Sequence, residues 1–182
     1  MVRRRRFLSL LLVGIVTAGS GGGACAEGLL GAKAPTAPTA SAGAAPTASN
    51  LATAVAPDSP TAQVRPFYAD GADLASADHE RFVDPAKTVL EKNEALKKSG
   101  QGDCLDQNMP LDQVPYDKAV LEKTFKSLEA INGDDARVVV AFVEGSEPHR
   151  LEWKLKKVEG AWKITDLLSV TGEWALSQYQ CE

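Results

Sequence analysis

The chain holds three cysteines and two histidines, together with a few clusters of acids. These are the residue types from which a metal, nucleophilic or acid–base site is built, and such sites demand set spacings. Two histidines four apart on one helix face, a Cys-x-x-Cys pair and a Gly-x-Ser-x-Gly turn are the common ones. None of these patterns is present. His79 falls in a polar stretch between two helical patterns, and His149 sits beside Pro148 in an expected loop. Both read as solvent-facing side chains, so neither a metal nor any other cofactor is expected. Asp103, Asp106 and Gln107 surround Cys104 and form a weak candidate binding loop, with capping or turn chemistry as the competing explanation. Calcium would need oxygen ligands at alternate positions along a longer loop. Asp134 and Asp135 follow Asn132-Gly133 and read as turn residues.

The cysteines depend on where the protein goes. Residues 3–6 are all Arg, an apolar run extends from Phe7 to about Val16, and small residues continue to Ala26. A basic start, a short apolar run and a small-residue end make residues 1–26 a secretory signal peptide, too short in its apolar part to span a bilayer. Arg4-Arg5-Arg6-Phe7-Leu8 also meets the core of a twin-arginine signal. An ordinary secretory signal is the preferred reading. Cleavage after Ala26 would discard Cys25, whereas cleavage before it would make Cys25 a lipidation site, the one expected link to a membrane. Cys104 and Cys181 then remain as an even pair. In an oxidising compartment such a pair is expected to form a disulfide. The protein is thus expected in the periplasm or cell envelope, soluble or lipid-anchored.

Overall the chain has 20 basic and 24 acidic residues, a net charge of −4. Residues 1–26 carry four Arg and no acid, so without them 16 basic and 24 acidic residues leave a net charge near −8. Nucleic acid is excluded as a partner on this basis, because phosphate binding needs clustered Lys and Arg.

Residues 27–57 are dominated by Ala, Pro, Thr, Ser and Gly, with Ala-Pro-Thr-Ala at 34–37, 37–40 and 45–48. So few bulky apolar residues cannot offset the entropy of ordering, and the segment is expected to be a disordered spacer. Residues 58–182 form the expected folded domain. Asp58-Ser59-Pro60 starts a first helix carrying Val64, Phe67 and Tyr68, with Gly71 at its end. Asp84 caps a second, in which Val89, Leu90 and Leu96 share a face and Gly100 marks the stop. The period then changes to two. Thr124 to Ile131, Val138 to Val143, Arg150 to Lys156 and Trp162 to Leu167 read as four strands. Asn132-Gly133, Gly145 to Pro148 and Glu159-Gly160 are the turns between them. The Val138–Val143 strand is apolar at every position and is expected to be buried on both faces. Trp153 and Trp162 fall on apolar strand faces and read as core. Glu173 to Tyr179 is expected to be a last short helix. The fold class is α+β, with helices packed on a curved four-stranded antiparallel sheet.

Phe82-Val83-Asp84-Pro85, Asp103-Cys104-Leu105-Asp106-Gln107 and Gly160-Ala161-Trp162-Lys163-Ile164-Thr165-Asp166-Leu167 carry a resemblance over roughly residues 60–180. There the chain resembles the nuclear-transport-factor-2-like, or cystatin-like, superfamily, and within it a group of exported bacterial proteins of unknown function. The resemblance implies a cone-like cavity between helices and sheet. It implies either a noncatalytic module binding a small apolar ligand or a protein partner, as inhibitors and immunity proteins do, or an isomerase or dehydratase. In the enzymes of that superfamily an Asp base pairs with Tyr or Asp donors inside the cone. Tyr68, Tyr116 and Asp166 are the residues that could take those parts, with Asp166 sharing the strand parity of Ile164. The noncatalytic reading is preferred, because the rest of a catalytic constellation is missing.

Overall fold

The computed structural model describes residues 46–69 and 73–182. The expected signal peptide, Cys25, most of the spacer and Gly71 lie outside the described residues. The strands are β1 (Thr47–Asn50), β2 (Lys126–Asn132), β3 (Asp135–Glu144), β4 (Glu147–Val158), β5 (Ala161–Ser169) and β6 (Trp174–Ala175). They form one sheet in sequence order, antiparallel throughout. The helices are α1 (Pro60–Val64), α2 (Pro66–Ala69), α3 (Ala86–Ser99) and α4 (Lys118–Thr124). The α+β class holds, with six strands in place of the expected four.

Both extra strands come from segments read otherwise. Thr47–Asn50 lies in the Ala/Pro/Thr-rich stretch, yet it pairs along β2, and Ser49 and Ser127 hydroxyls meet at 2.8 Å. A short edge strand needs no bulky side chains when its backbone satisfies a neighbour's open ladder. β6 begins where a short helix was expected. Glu173 has φ of 56°, a left-handed conformation that a helix interior excludes, so only a 3-10 turn at Leu176–Gln178 remains of that helix.

The helix ends follow local chemistry. Ser59 caps α1 by accepting from Ala62 N at 3.2 Å. Pro66 lacks the N–H needed to continue, so the chain restarts as α2. Gly100 ends α3 with φ of 78°, as its position predicts. The N-cap position of α3 falls on Pro85 rather than Asp84, whose carboxylate instead accepts from Thr88 N and Oγ1, the latter at 2.6 Å. α4 went unforeseen in the sequence, although Asp117 caps it by accepting from Ala119 and Val120 amides.

Strand parity separates two faces. Val138, Val140, Phe142, Leu151, Trp153, Leu155, Ile164 and Leu167 are buried on the face that the helices cover. On β3 the opposite parity is not buried: Val139 and Val143 are half-buried and Ala141 is exposed. β3 is therefore interior to the sheet but covered on one face only, a correction to the two-faced burial expected from its continuous apolar run. On β5, Lys154 pairs with Asp166 while Leu155 pairs with Ile164, which makes Thr165 the extra residue of a bulge. The bulge reverses parity, so Asp166 does not share the side of Ile164.

Candidate functional site

The covered face is where a cone-like cavity was expected, and it is filled. Phe67 stacks on Trp153 at 4.9 Å, and Tyr68 lies 4.9 Å from Phe125 and 6.3 Å from Phe142. Phe67, Tyr68, Phe82, Phe125, Phe142 and Trp153 are all essentially inaccessible to solvent. Aromatic side chains of this size close the space that a ligand would occupy.

The proposed acid–base residues do not converge there. The Tyr68 hydroxyl accepts from Trp153 Nε1 at 2.9 Å. Tyr116 is exposed at the surface. Asp166 is buried but fully engaged: Oδ1 accepts from Leu167 N and Ser177 N, both at 3.0 Å, and Oδ2 from Ser177 Oγ at 2.9 Å. Its visible work is to hold the C-terminal segment against β5. Asp103, Asp106 and Gln107 line a shallow open depression. Asp106 accepts from Asn108 N at 2.7 Å, and Asp103 pairs with Lys97 at 3.1 Å. The Asp106 bond is turn chemistry, the role set against binding in the sequence, whereas the Asp103 ion pair is a contact the sequence did not suggest. Among the described residues no three His, Cys, Asp or Glu side chains group as a metal site requires.

Burial pushes the Tyr68 phenol well above its ordinary range, with nearby Asp112 adding to the effect and the Trp153 bond opposing it. Below about pH 10 the phenol is neutral in both folded and unfolded chains. Above it the unfolded chain releases a proton that the folded protein keeps, so stability falls as pH rises. The expected contribution is about 1.4 kcal/mol per pH unit. Urea unfolding between pH 9 and 11.5 should show a shallower decline for Tyr68→Phe than for the parent.

A buried polar cluster escaped the sequence reading. Asp112 Oδ2 lies 2.8 Å from His149 Nδ1, and Asp112 Oδ1 accepts from Trp174 Nε1 at 3.1 Å. The His149 ring stacks on Phe142 at 5.2 Å. His149 is therefore not a surface residue, which corrects the expectation. β4 begins at Glu147, three residues before the expected start, and the alternation Leu151, Trp153, Leu155 extends back to place His149 inside. His79 is likewise half-buried, 3.8 Å from Glu94. Asp112, with φ of 58°, follows the 3-10 turn Met109–Leu111. Gly172 covers the cluster so closely that a Cβ there would fall 2.8 Å from Trp174 Nε1 and 2.9 Å from Asp112 Oδ1. A carboxylate–imidazole pair can serve as a general base. Here no hydroxyl or thiol among the described residues is bonded to the other ring nitrogen. The geometry instead ties the turn after residue 111, the start of β4 and β6 together.

The Cys104–Cys181 disulfide is formed, with Cα atoms 5.6 Å apart. Asn93, buried on α3, supports it by accepting from the Cys104 and Leu105 amides at 2.8 and 3.0 Å.

The uncovered face is the remaining surface with a distinctive composition. Register places Ala48, Leu128, Val139, Glu152 and Leu168 in one row across β1 to β5. A second row holds Asn50, Lys126, Ala141 and Arg150, with Val170 alongside, bonded to the Arg150 carbonyl. A third holds Ala130, Arg137, Lys154 and Asp166. Leu128 and Val170 are 42% and 51% exposed, among the few large apolar side chains so open to solvent. Arg137 pairs with Glu152 at 3.0 Å, whereas Lys126, Arg150, Lys154 and Lys156 are in no ion pair among the described residues. Small Ala130 and the Thr165 bulge leave an open groove of about 450 Å³ beside Arg137 and Lys154. Single polar outer faces are ordinary for antiparallel sheets. An apolar row framed by unpaired cations is what marks this one.

No family model matches the chain. No curated protein matches it. Among solved structures, it is similar to a chain in "Crystal structure of the type VI native effector-immunity complex Tae3-Tai3 from Ralstonia pickettii". The identity is 23%, the match covers 68% of this chain and 99% of that one, and the TM-score is 0.43. That degree of likeness assigns no role to any residue here.

Proposed function

We propose that this protein is an exported, noncatalytic interaction domain of the bacterial envelope that binds another protein, in the manner of an inhibitor or immunity protein. One observation carries the reading. The sheet face toward the helices is packed solid with aromatic side chains, while among the described residues no helix covers the opposite face, which carries exposed Leu128 and Val170 and half-buried Val139 and Leu168. Tyr68 and Asp166 are buried and bonded to protein groups rather than facing a substrate, and an open, partly apolar sheet suits a protein surface. The disulfide favours an oxidising compartment. The resemblance to nuclear-transport-factor-2-like exported proteins fits the same reading, with the cone used as a scaffold rather than a cavity. Signal processing at residues 1–26 belongs to the proposal too, with cleavage either after Ala26, which discards Cys25, or before Cys25, which makes it a lipidation site. Detergent partitioning of the parent and Cys25→Ser separates an anchored from a soluble product.

The test is capture and reconstitution. The tagged full chain is incubated with envelope extract, the bound protein is identified, and the purified pair is titrated by calorimetry. Saturable one-to-one binding is expected. Turnover of carbonyl substrates that disappears in both Tyr68→Phe and Asp166→Asn would contradict the noncatalytic reading.

A further inference from the structure

We infer that the uncovered sheet face is the docking surface and that its occupant is an acidic protein, whose carboxylates reach the groove between Arg137 and Lys154. The inference rests on the interaction-domain reading and specifies its partner. Its basis is a charge asymmetry. The whole chain is acidic, at 20 basic against 24 acidic residues. Yet the outer-parity positions of β2 to β5 carry Lys126, Arg137, Arg150, Lys154, Lys156 and Lys163 against Asp135, Glu152 and Asp166. Asp166 is withdrawn into its bonds with Ser177, and Lys163 donates to the Glu80 carbonyl. What faces solvent is thus a basic field, with four of its cations unpaired among the described residues.

Such a field attracts and orients a partner of opposite charge, acting on association rate and specificity more than on raw affinity. The groove supplies the local fit. Lys154 has no carboxylate within ion-pair reach among the described residues, and Arg137 holds a single bond to Glu152. A partner's Asp or Glu entering there would complete both. The apolar row of Leu128, Val139 and Leu168 supplies a desolvated centre that a protein uses and a phosphate backbone does not. The net negative charge of the whole chain also opposes long polyanions.

The test places p-benzoylphenylalanine at Leu128, Val139 or, as a control on α3, Lys92 of the full chain. Each form is irradiated in envelope extract, and the crosslinked protein is identified and purified. Its affinity is then measured for the parent, for Arg137→Glu/Lys154→Glu, and for Lys92→Glu/Lys118→Glu, which makes the same charge change on helices α3 and α4. The expected result is crosslinking from Leu128 and Val139 to a protein that is acidic at pH 7. Its binding should weaken about tenfold or more in the sheet variant, hold in the control, and fall with added salt. A crosslink to a second copy of this chain, a basic partner, or equal loss in both variants would overturn the inference. So would tighter binding to single-stranded DNA or phosphatidylglycerol vesicles than to the captured protein. Crosslinks from Lys92 alone would overturn the docking surface and leave the interaction-domain reading standing. No crosslink from any position, with no protein captured, would sink both.

Discussion

Cys181→Ser is expected to lower folding stability by up to about 4.5 kcal/mol, the loop-closure value for 77 residues in the chain-entropy model. The size follows from the span of the loop. It runs from the segment after α3 to the end of the chain and so encloses α4 and five of the six strands. In the unfolded state the bridge removes the conformations in which those ends are apart, and a longer loop removes more of them. In the folded state the bridge costs little to reach, because Asn93 already holds the Cys104 and Leu105 amides and Cys181 is buried. Equilibrium urea unfolding with and without reductant measures it. Reduction of the parent should reproduce the loss, and Cys104→Ser/Cys181→Ser should then be indifferent to reductant. A change below about 0.5 kcal/mol would show that the bridge is not what closes the domain.

Asp112→Ala carries the second large effect, an expected loss of about 2–4 kcal/mol from the two hydrogen bonds it removes. The carboxylate serves two partners, the buried His149 Nδ1 and the half-buried Trp174 Nε1. Truncation removes the partner of both ring nitrogens, and a buried polar group left without one, as at His149, costs about 1–3 kcal/mol, with a smaller loss at the half-buried Trp174. Three chain segments then lose their common tie. Asp112→Asn keeps a carbonyl oxygen for one of the donors and should lose less. A double-mutant cycle with His149→Phe isolates the pair, since the phenyl ring preserves the stack on Phe142 and removes the polar atom. Coupling above about 1 kcal/mol is expected by denaturant unfolding, and additive losses would show that the two residues act independently.

Much of the fold could be read from local chemistry. Ser59-Pro60, Gly100, Asn132-Gly133 and Glu159-Gly160 mark ends and turns because few other residues suit a cap or a positive φ. The in–out alternation of Leu151, Trp153 and Leu155 showed which side of β4 is buried, and the compartment argument anticipated the disulfide. What stayed hidden depends on tertiary context. Thr47–Asn50 is a strand because β2 offers it a ladder, which no composition rule can see. The bulge at Thr165 shifts Asp166 by one residue and so changes its side of the sheet. His149 looked like a loop residue because Pro148 masked the start of β4. Asp112 had no sequence signal, since its partners lie 37 and 62 residues away. The uncovered face was misread for a related reason. The continuous apolar run of β3 suggested two buried sides, whereas Val139, Ala141 and Val143 remain accessible to a partner.

This last difference joins the fold to the function. A sheet filled on one side by Phe67, Tyr68 and Trp153 and open on the other presents a surface rather than a chamber. Hydroxyl-radical footprinting of the captured complex tests this most directly. Side-chain oxidation is compared, with and without the partner, at Leu128, Val139, Leu168 and Val170 and at Tyr116, which precedes α4 and is outside the outer rows of the sheet. Protection of the sheet residues with Tyr116 unchanged is the predicted result. Full reactivity of Leu128 and Val170 in a saturated complex would contradict it.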